Sequence, residues 1–210
     1  MTPFSSTEVV EARLQERLLP FSAWDPVARR MRSDRVQPLD WVLPTSALQP
    51  AAVLAPLVER DSGLSVLLTR RSDNLRRHSG QIAFPGGRAE AGETPWDTAL
   101  REAHEEIGLE AGFVRIAGLG DTFDTVTGYS ITPVVGLVRP GFNLSPQLSE
   151  VAEIFEVPFA FLMDPANHER RERDFGDGRT RHFFAIPYED RLVWGVTAGI
   201  LRMLYERVFG

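Results

Sequence analysis

The segment Gly87–Leu109, with the sequence GRAEAGETPWDTALREAHEEIGL, decides the fold because it contains one helix with its start and stop signals. Thr94 can cap the helix, Pro95 suits its first turn, and Gly108 ends it. At about 100° per residue, the apolar side chains fall on one stripe. These side chains are Trp96, Ala99, Leu100, Ala103 and Ile107. We therefore expect an amphipathic helix that docks through this stripe.

A second face of the same helix is acidic. Glu102, Glu105 and Glu106 have the i, i+3, i+4 spacing that places them side by side. Carboxylates this close repel each other and raise one another's pKa, and a divalent cation would offset that repulsion. Oxygen ligands at this density suit magnesium or manganese better than zinc, which normally recruits His or Cys. The alternative interpretation is a solvated acidic face.

The spacing G-x5-E-x7-R-E-x2-E-E-x-G-x, which runs from Gly87 to Leu109, resembles the Nudix box at every fixed position. The weakest match is Ala103, at a position where the family usually has a larger aliphatic or a small residue. The resemblance implies a Nudix fold and a hydrolase that cleaves a pyrophosphate bond with Mg²⁺ or Mn²⁺.

The resemblance also implies roles for the residues of the box. It makes Glu102, Glu105 and Glu106 the metal ligands, with Glu93 and Arg101 as the pair that orients them. The turn at Gly86 and Gly87 would bring backbone close to the metal or the phosphate. Both glycines therefore join the expected substrate-binding set.

Three further segments resemble the coenzyme A pyrophosphatase subgroup of Nudix hydrolases. They are Leu67–Ser72 (LLTRRS), Leu75–Gly87 (LRRHSGQIAFPGG) and Val193–Ala198 (VWGVTA). The resemblance implies that coenzyme A and water give 4′-phosphopantetheine and adenosine 3′,5′-bisphosphate. Acyl and oxidised coenzyme A are variants of the same substrate.

Arginines near these segments are the candidates for contacts with the phosphates of the substrate. Arg70 and Arg76 carry planar, permanently charged groups that fit phosphate oxygens, and Ser72 is included with them. The alternative is solubilising surface charge. Trp194 is expected in the core rather than as a stacking platform.

The general base is expected among the carboxylates. Glu150, ahead of a predicted strand, is the first choice, followed by Glu153 and by Glu102 itself. The alternative for Glu150 is an ordinary exposed glutamate.

The composition sets the protein class. The 210 residues include no cysteine, which excludes disulfides and cysteine zinc sites. The net charge of −6 argues against nucleic acid or an anionic membrane as partner. No long apolar run and no leader at Met1 are present, so we expect a cytoplasmic protein with a small nucleotide-type substrate.

The order of the elements predicts an α+β fold, with a mixed sheet between helices in an α/β/α sandwich. Residues 1–48 are expected to form an N-terminal helical arm and residues 49–210 the Nudix domain. The arm would pack across the core or along a partner subunit, so a homodimer is an open alternative. Strands are expected at residues 53–58, 64–69, 81–84, 113–124, 129–138, 151–157, 170–175 and 179–188, and helices at 5–19, 26–32, 94–107, 158–163 and 197–208.

Two rival functions stay open at this stage. The box alone is equally compatible with a Nudix pyrophosphatase for ADP-ribose, a dinucleotide or a nucleoside triphosphate. A non-catalytic nucleotide-binding Nudix-fold module is the second rival, and the complete set of box carboxylates argues against it.

Overall fold

A computed structural model describes residues 6–25, 47–74, 79–174 and 180–210. Its helices are α1 (Thr7–Arg17), α2 (Pro95–Ile107), α3 (Phe159–Leu162) and α4 (Val196–Val208). Its strands are β1 (Gln49–Arg60), β2 (Gly63–Arg71), β3 (Ile82–Ala83), β4 (Gly86–Arg88), β5 (Val114–Leu119), β6 (Phe123–Asp124), β7 (Tyr129–Val138), β8 (Val151–Pro158), β9 (Glu169–Asp174), β10 (Thr180–Tyr188) and β11 (Arg191–Trp194). Short 3-10 turns lie at Phe21–Ala23, Ala111–Phe113 and Pro165–Asn167.

The main sheet is mixed, as predicted. Its central path runs β3-β2-β1-β7-β5, with β4 paired to β1, β6 to β7 and β8 to β2. Strands β1 and β7 are parallel, whereas β1 and β2 form the expected antiparallel hairpin. Because β1 is a central strand, both of its faces must be covered.

Alternate residues of β1 supply the two cores. Ala52, Leu54 and Val58 pack with α2, whereas Ala55 and Leu57 pack with the opposite group of helices. That group consists of α1, α3 and α4. The period-2 pattern therefore produces helix, sheet and helix layers, and the predicted α/β/α arrangement is confirmed.

Helix α2 begins and ends where its sequence predicts. The Thr94 side chain accepts a hydrogen bond from the Asp97 backbone N–H, and the Asp97 carboxylate accepts one from the Thr94 N–H. Gly108 ends the helix with φ 70°, a left-handed conformation that glycine adopts without strain. Both ends of the acidic face are thus fixed by local sequence.

A second, smaller sheet of order β11-β10-β9 lies beside the N-terminal end of α4. The hydroxyl of Thr197 donates a hydrogen bond to the Ile82 carbonyl, with an oxygen–oxygen distance of 3.0 Å. Gly199 packs directly against the ring of Phe123, where a Cβ atom would have no room. These contacts hold the second sheet and α4 against the main sheet near β3.

Three details of the predicted elements are wrong. The segment Gly86–Arg88 pairs with β1 as a strand instead of forming only a turn, because its backbone extends along Ala51–Val53. Residues 113–124 divide into β5 and β6, since residues 120–122 between them are not in a strand. Strand β11 was not predicted.

The N-terminal helix packs on the core. Val10, Leu14 and Leu18 are buried with α4, and Leu19 exchanges two backbone hydrogen bonds with Leu119. The predicted helix at 26–32 lies outside the described residues. The division at residue 48, the homodimer and the cytoplasmic location stay predictions. Within the described ranges, no helix has both the length and the apolar character needed to cross a lipid bilayer.

Candidate active site

Arg101 organises the acidic face of α2. Its Nε and Nη2 donate to the two carboxylate oxygens of Glu93 at 2.7 and 3.1 Å. Its Nη1 donates to Glu102 at 3.0 Å and to Glu105 at 3.1 Å. The Arg88 carbonyl accepts a further bond from Nη2 at 3.1 Å. One guanidinium therefore connects the loop before α2 with two of the three predicted metal ligands.

Glu93 is held as an anion. The fork of Arg101, the Glu90 backbone N–H and the Thr98 hydroxyl all donate to it, and together they lower its pKa to about 2, against the opposing effect of burial. A carboxylate with this many donors has little freedom to rotate. The pair of Glu93 and Arg101 has the geometry of a support for neighbouring carboxylates.

Glu106 is the most buried carboxylate of the face, with only 4% of its surface exposed. Burial is the main reason that its pKa rises to about 7, and the charges of Glu102 and Glu150 raise it further. Two contacts offset part of this rise in the pKa of Glu106. The Gly86 N–H donates to its carboxylate at 3.2 Å, and the Arg71 guanidinium lies 3.8 Å away. Its negative charge is thus only partly compensated by the protein.

Glu102 lies between α2 and β4. Burial raises its pKa, with smaller contributions from Glu105 and Glu150, whereas Arg101 lowers it. Its carboxylate lies so close to Gly87 that a Cβ atom there would collide with Oε1. A residue larger than glycine at position 87 would therefore displace this carboxylate.

The other two predicted carboxylates differ in exposure and position. Glu105 has 59% of its side chain exposed and contacts Arg101. Glu150 is exposed but lines the same cavity as Glu102 and Glu106. Glu153, the second choice for the base, does not line that cavity and instead pairs with Arg191 at 2.6 Å and Arg70 at 3.6 Å.

A cavity of about 580 Å³ opens beside these carboxylates. Its volume is within the range typical of ligand pockets. Polar residues of the main sheet and α2 form part of its wall, namely Arg71, Gln81, Gly86, Gly87, Arg88, Glu102, Glu106 and Glu150. The rest is largely apolar and includes Val126, Ile131, Phe183, Trp194 and Ile200.

The structure places Arg71, rather than Arg70, in this cavity. Arg70 donates to both oxygens of Asp73 at 3.0 and 3.1 Å and does not line the cavity. The buried Nε of Arg71 has no hydrogen-bond partner in the part of the chain that the structure describes. The prediction of Arg70 as a phosphate ligand therefore does not agree with its position. The fixed arginine of the LLT-x-R-S pattern falls on Arg71, and this is the signal that identifies it.

The remaining predicted substrate residues lie apart from the cavity or outside the description. Ser72 is buried, its backbone N–H donates to the Glu150 carbonyl at 2.7 Å, and it does not line the cavity. That bond fixes the backbone next to the candidate base, so Ser72 is placed to support Glu150 rather than to touch a ligand. Arg76 lies outside the described residues.

Two aromatic residues of the second sheet were missed as cavity residues. Trp194, expected in the core, is half-buried and lines the cavity, and the ring of Phe183 meets it at 5.6 Å and 64°. Residues on alternate positions of β10 share a face, so Arg181 and Phe183 line the cavity while His182 lies 3.6 Å from Glu172. Sequence spacing could not show that the second sheet packs beside β3 through β11.

The donors around the acidic face fit a hard divalent cation. Glu102, Glu106 and Glu150 offer only oxygen atoms, and the cationic partner of the buried Glu106, Arg71, comes no closer than 3.8 Å. Within the described ranges, no three acidic or histidine side chains already form a metal site. Arg101 donates to one carboxylate oxygen of Glu102 and to one of Glu105.

Comparisons with known proteins identify the family of the chain. The sequence profile described as NUDIX domain matches residues 48–177. Proteins named "Uncharacterized Nudix hydrolase NudL" are similar to the chain. The one from Yersinia enterocolitica is 39% identical over 159 residues, covering 75% of this chain and 80% of its own. The one from Escherichia coli is 40% identical over 155 residues, covering 73% and 80%. A solved Nudix hydrolase from M. smegmatis, RenU, has 25% identity and a TM-score of 0.49, covering 59% of this chain and 82% of its own.

Proposed function

Because the chain belongs to the Nudix hydrolase family, whose members generally use divalent metal ions, we propose that it hydrolyses the diphosphate bond of coenzyme A. The products would be 4′-phosphopantetheine and adenosine 3′,5′-bisphosphate. Acyl and oxidised coenzyme A are included in the proposed substrate class. We propose Mg²⁺ or Mn²⁺ as the metal.

The observation that carries this proposal is a convergence of three separate segments on one cavity. Arg71 comes from LLTRRS, residues 81–84 from GQIAFPGG and residues 194–197 from VWGVTA, and all of them line the cavity beside Glu102 and Glu106. These are the segments whose sequences resemble the coenzyme A subgroup. Their meeting at the acidic face supports a role in substrate choice.

We assign the metal to the carboxylates of α2. Glu102 and Glu106 would hold it from inside the cavity, and Glu105 would join them after turning away from Arg101. A bound divalent ion would neutralise the diphosphate and make a water molecule more acidic. Arg101 would keep Glu93 and Glu102 in place through its fork, as the hydrogen bonds of 2.7 to 3.1 Å indicate.

Glu150 is the proposed general base. It lines the cavity with Glu102 and Glu106, and its backbone is held by Ser72 and Gln147. The water oxygen would bond to phosphorus while the bond from phosphorus to the bridging oxygen breaks. The water proton would pass to Glu150, and the bridging oxygen would leave with the other phosphate. Arg71 would contact a phosphate oxygen through the guanidinium that faces the cavity.

A substrate panel tests the proposal. Purified protein would be incubated with Mg²⁺ or Mn²⁺ and with coenzyme A, ADP-ribose, a dinucleotide or a nucleoside triphosphate, and the products would be identified by mass. We expect coenzyme A to have the highest kcat/KM. Cleavage confined to ADP-ribose would reject the proposed substrate, and binding without cleavage of any compound would favour a non-catalytic module.

A further inference from the structure

An ion pair joins the second sheet to the main sheet close to the cavity. Arg191, the first residue of β11, donates from Nη2 to Oε1 of Glu153 on β8 at 2.6 Å. Its guanidinium also lies 4.7 Å from the ring centre of Phe155 on β8. We propose that Glu153 and Arg191 are positioning residues. Their pair holds Phe183 and Trp194, two cavity residues of the second sheet, in place relative to the acidic face of α2.

This inference rests on the proposed function and adds two residues to it. Glu153 lies within residues 48–177, which match the NUDIX domain, whereas Arg191 follows them. The sequence made Glu153 a candidate for the general base, but its side chain does not line the cavity. A positioning role agrees with its location at the boundary between the two sheets.

The pair lies between two residues that line the cavity. Glu153 follows Glu150, the proposed base, by three residues, and Arg191 precedes Trp194 by three residues. Three residues of chain span at most about 11 Å, so each member of the pair is close to a cavity residue. A displacement of β11 from β8 would therefore change the separation of Trp194 and Glu150.

The other ionic contacts of Arg191 cannot replace Glu153. Arg191 contacts Asp190 at 3.0 Å and Glu189 at 3.3 Å. Both carboxylates belong to the turn between β10 and β11, so they connect Arg191 to its own sheet and not to β8. The pair with Glu153 is partly shielded, since 24% of the Arg191 side chain and 35% of the Glu153 side chain are exposed. Such shielding makes an ion pair stronger than a fully exposed one.

The catalytic groups are held by bonds that do not involve the second sheet. The Ser72 N–H donates to the Glu150 carbonyl at 2.7 Å, and the Gln147 N–H donates to the Glu106 carbonyl at 2.9 Å. Loss of the ion pair should thus leave kcat nearly unchanged. It should raise KM, because the part of the cavity that the second sheet supplies moves away from the bound substrate.

A second ion pair on β8 provides the matched control. Glu156 pairs with Arg60 of β1, whose guanidinium lies 5.4 Å from the ring centre of Phe142. The side chain of Glu156 is 27% exposed, close to the 35% of Glu153. This pair has the same chemistry, but it joins β8 to β1 inside the main sheet, and neither member lines the cavity.

The experiment compares the steady-state kinetics of full-length variants with coenzyme A and Mg²⁺. We expect Glu153→Ala and Arg191→Met each to raise KM about fivefold and to change kcat less than about twofold, since only the substrate surface is displaced. The double variant should have the same KM as either single variant, because the two side chains act as one pair. Glu156→Ala should change both constants less than about twofold. Should Glu153→Ala fail to fold, Glu153→Gln takes its place.

Four results would overturn the inference while leaving the proposed function intact. They are an unchanged KM in the single variants, multiplication of the two effects in the double variant, equal effects of Glu153→Ala and Glu156→Ala, and a fall in kcat that would identify Glu153 as the base. Absence of coenzyme A cleavage by the wild-type protein would instead reject the proposed function. The same comparison of KM would then use the substrate that the panel identifies.

Discussion

The acidic helix α2 and the second sheet contribute to the same cavity in different ways. In α2, one short segment contains the cap, the apolar stripe and the carboxylates. Arg101 donates hydrogen bonds of 2.7 to 3.1 Å to the carboxylates of Glu93, Glu102 and Glu105. The second sheet contributes Phe183 and Trp194, which line the cavity beside the hydrogen bond between Thr197 and the Ile82 carbonyl. The comparison indicates that the reacting groups depend on local sequence, whereas the substrate surface depends on distant packing.

The largest expected effect comes from the most buried carboxylate. Glu106→Gln keeps the shape of the side chain and its bond from Gly86, but removes the negative charge. We expect kcat/KM with coenzyme A to fall by more than about a hundredfold, since loss of a metal ligand should exceed loss of an outer partner. Glu110→Gln, an exposed glutamate just after α2, is the matched control. Near-normal activity of Glu106→Gln would remove the metal assignment.

Substitution of Arg101 tests whether the shape of its guanidinium group matters in addition to its positive charge. Arg101→Lys retains one positive charge but cannot contact Glu93, Glu102 and Glu105 together. We expect activity to fall roughly 10- to 100-fold and the apparent affinity for Mg²⁺ to weaken. The control is Arg202→Lys, because Arg202 pairs with Glu206 on α4, away from the cavity. Equal activities of the two variants would contradict the supporting role.

Substitution of the neighbouring residues Arg70 and Arg71 tests which of them binds the phosphate of the substrate. Arg71→Gln should raise the KM for coenzyme A roughly tenfold, since a charged hydrogen bond to phosphate is lost. Arg70→Gln should change it less than about twofold, because Arg70 is occupied by Asp73 and Glu153. Steady-state kinetics of both variants would decide between them. The reverse order would restore Arg70 as the phosphate ligand.

The smallest expected effect is a change of stability with pH in the metal-free protein. The pKa of Glu106 is raised to about 7 in the folded state, so the folded protein binds more protons than the unfolded chain between the ordinary value of 4.5 and 7. The free energy of unfolding should therefore fall as pH rises through this range. Urea unfolding in EDTA at pH 5 and pH 8 measures it. Glu106→Gln should lose this component, and an unchanged pH dependence in the variant would contradict the raised pKa.

The sequence predicted most of the layers because its elements follow local rules. Thr94 and Gly108 define α2, and the nearly continuous apolar run of β1 is typical of a strand buried on both faces. Strand β11 was missed because its four residues gain their structure by pairing with β10. Short strands of this kind depend on a partner that local propensity does not reveal.

In the candidate site too, residue spacing predicts the positions along one helix, whereas burial depends on packing against distant elements. Spacing alone brought Glu102, Glu105 and Glu106 to one face, but it could not distinguish the buried Glu106 from Glu105, whose side chain is 59% exposed. It also could not show that Arg71 reaches the cavity while Arg70 pairs with Asp73. Burial and side-chain direction come from the packing of α2 and β2 against strands that are distant in sequence, such as β1 for α2 and β8 for β2.

The most direct test of the central claim is product analysis with coenzyme A as the only substrate. Wild-type protein with Mg²⁺ or Mn²⁺ should give equal amounts of 4′-phosphopantetheine and adenosine 3′,5′-bisphosphate by mass, and none in EDTA. Glu106→Gln at the same concentration should give less than about a hundredth of that amount. Intact coenzyme A after prolonged incubation of the wild-type protein with either metal would contradict the account.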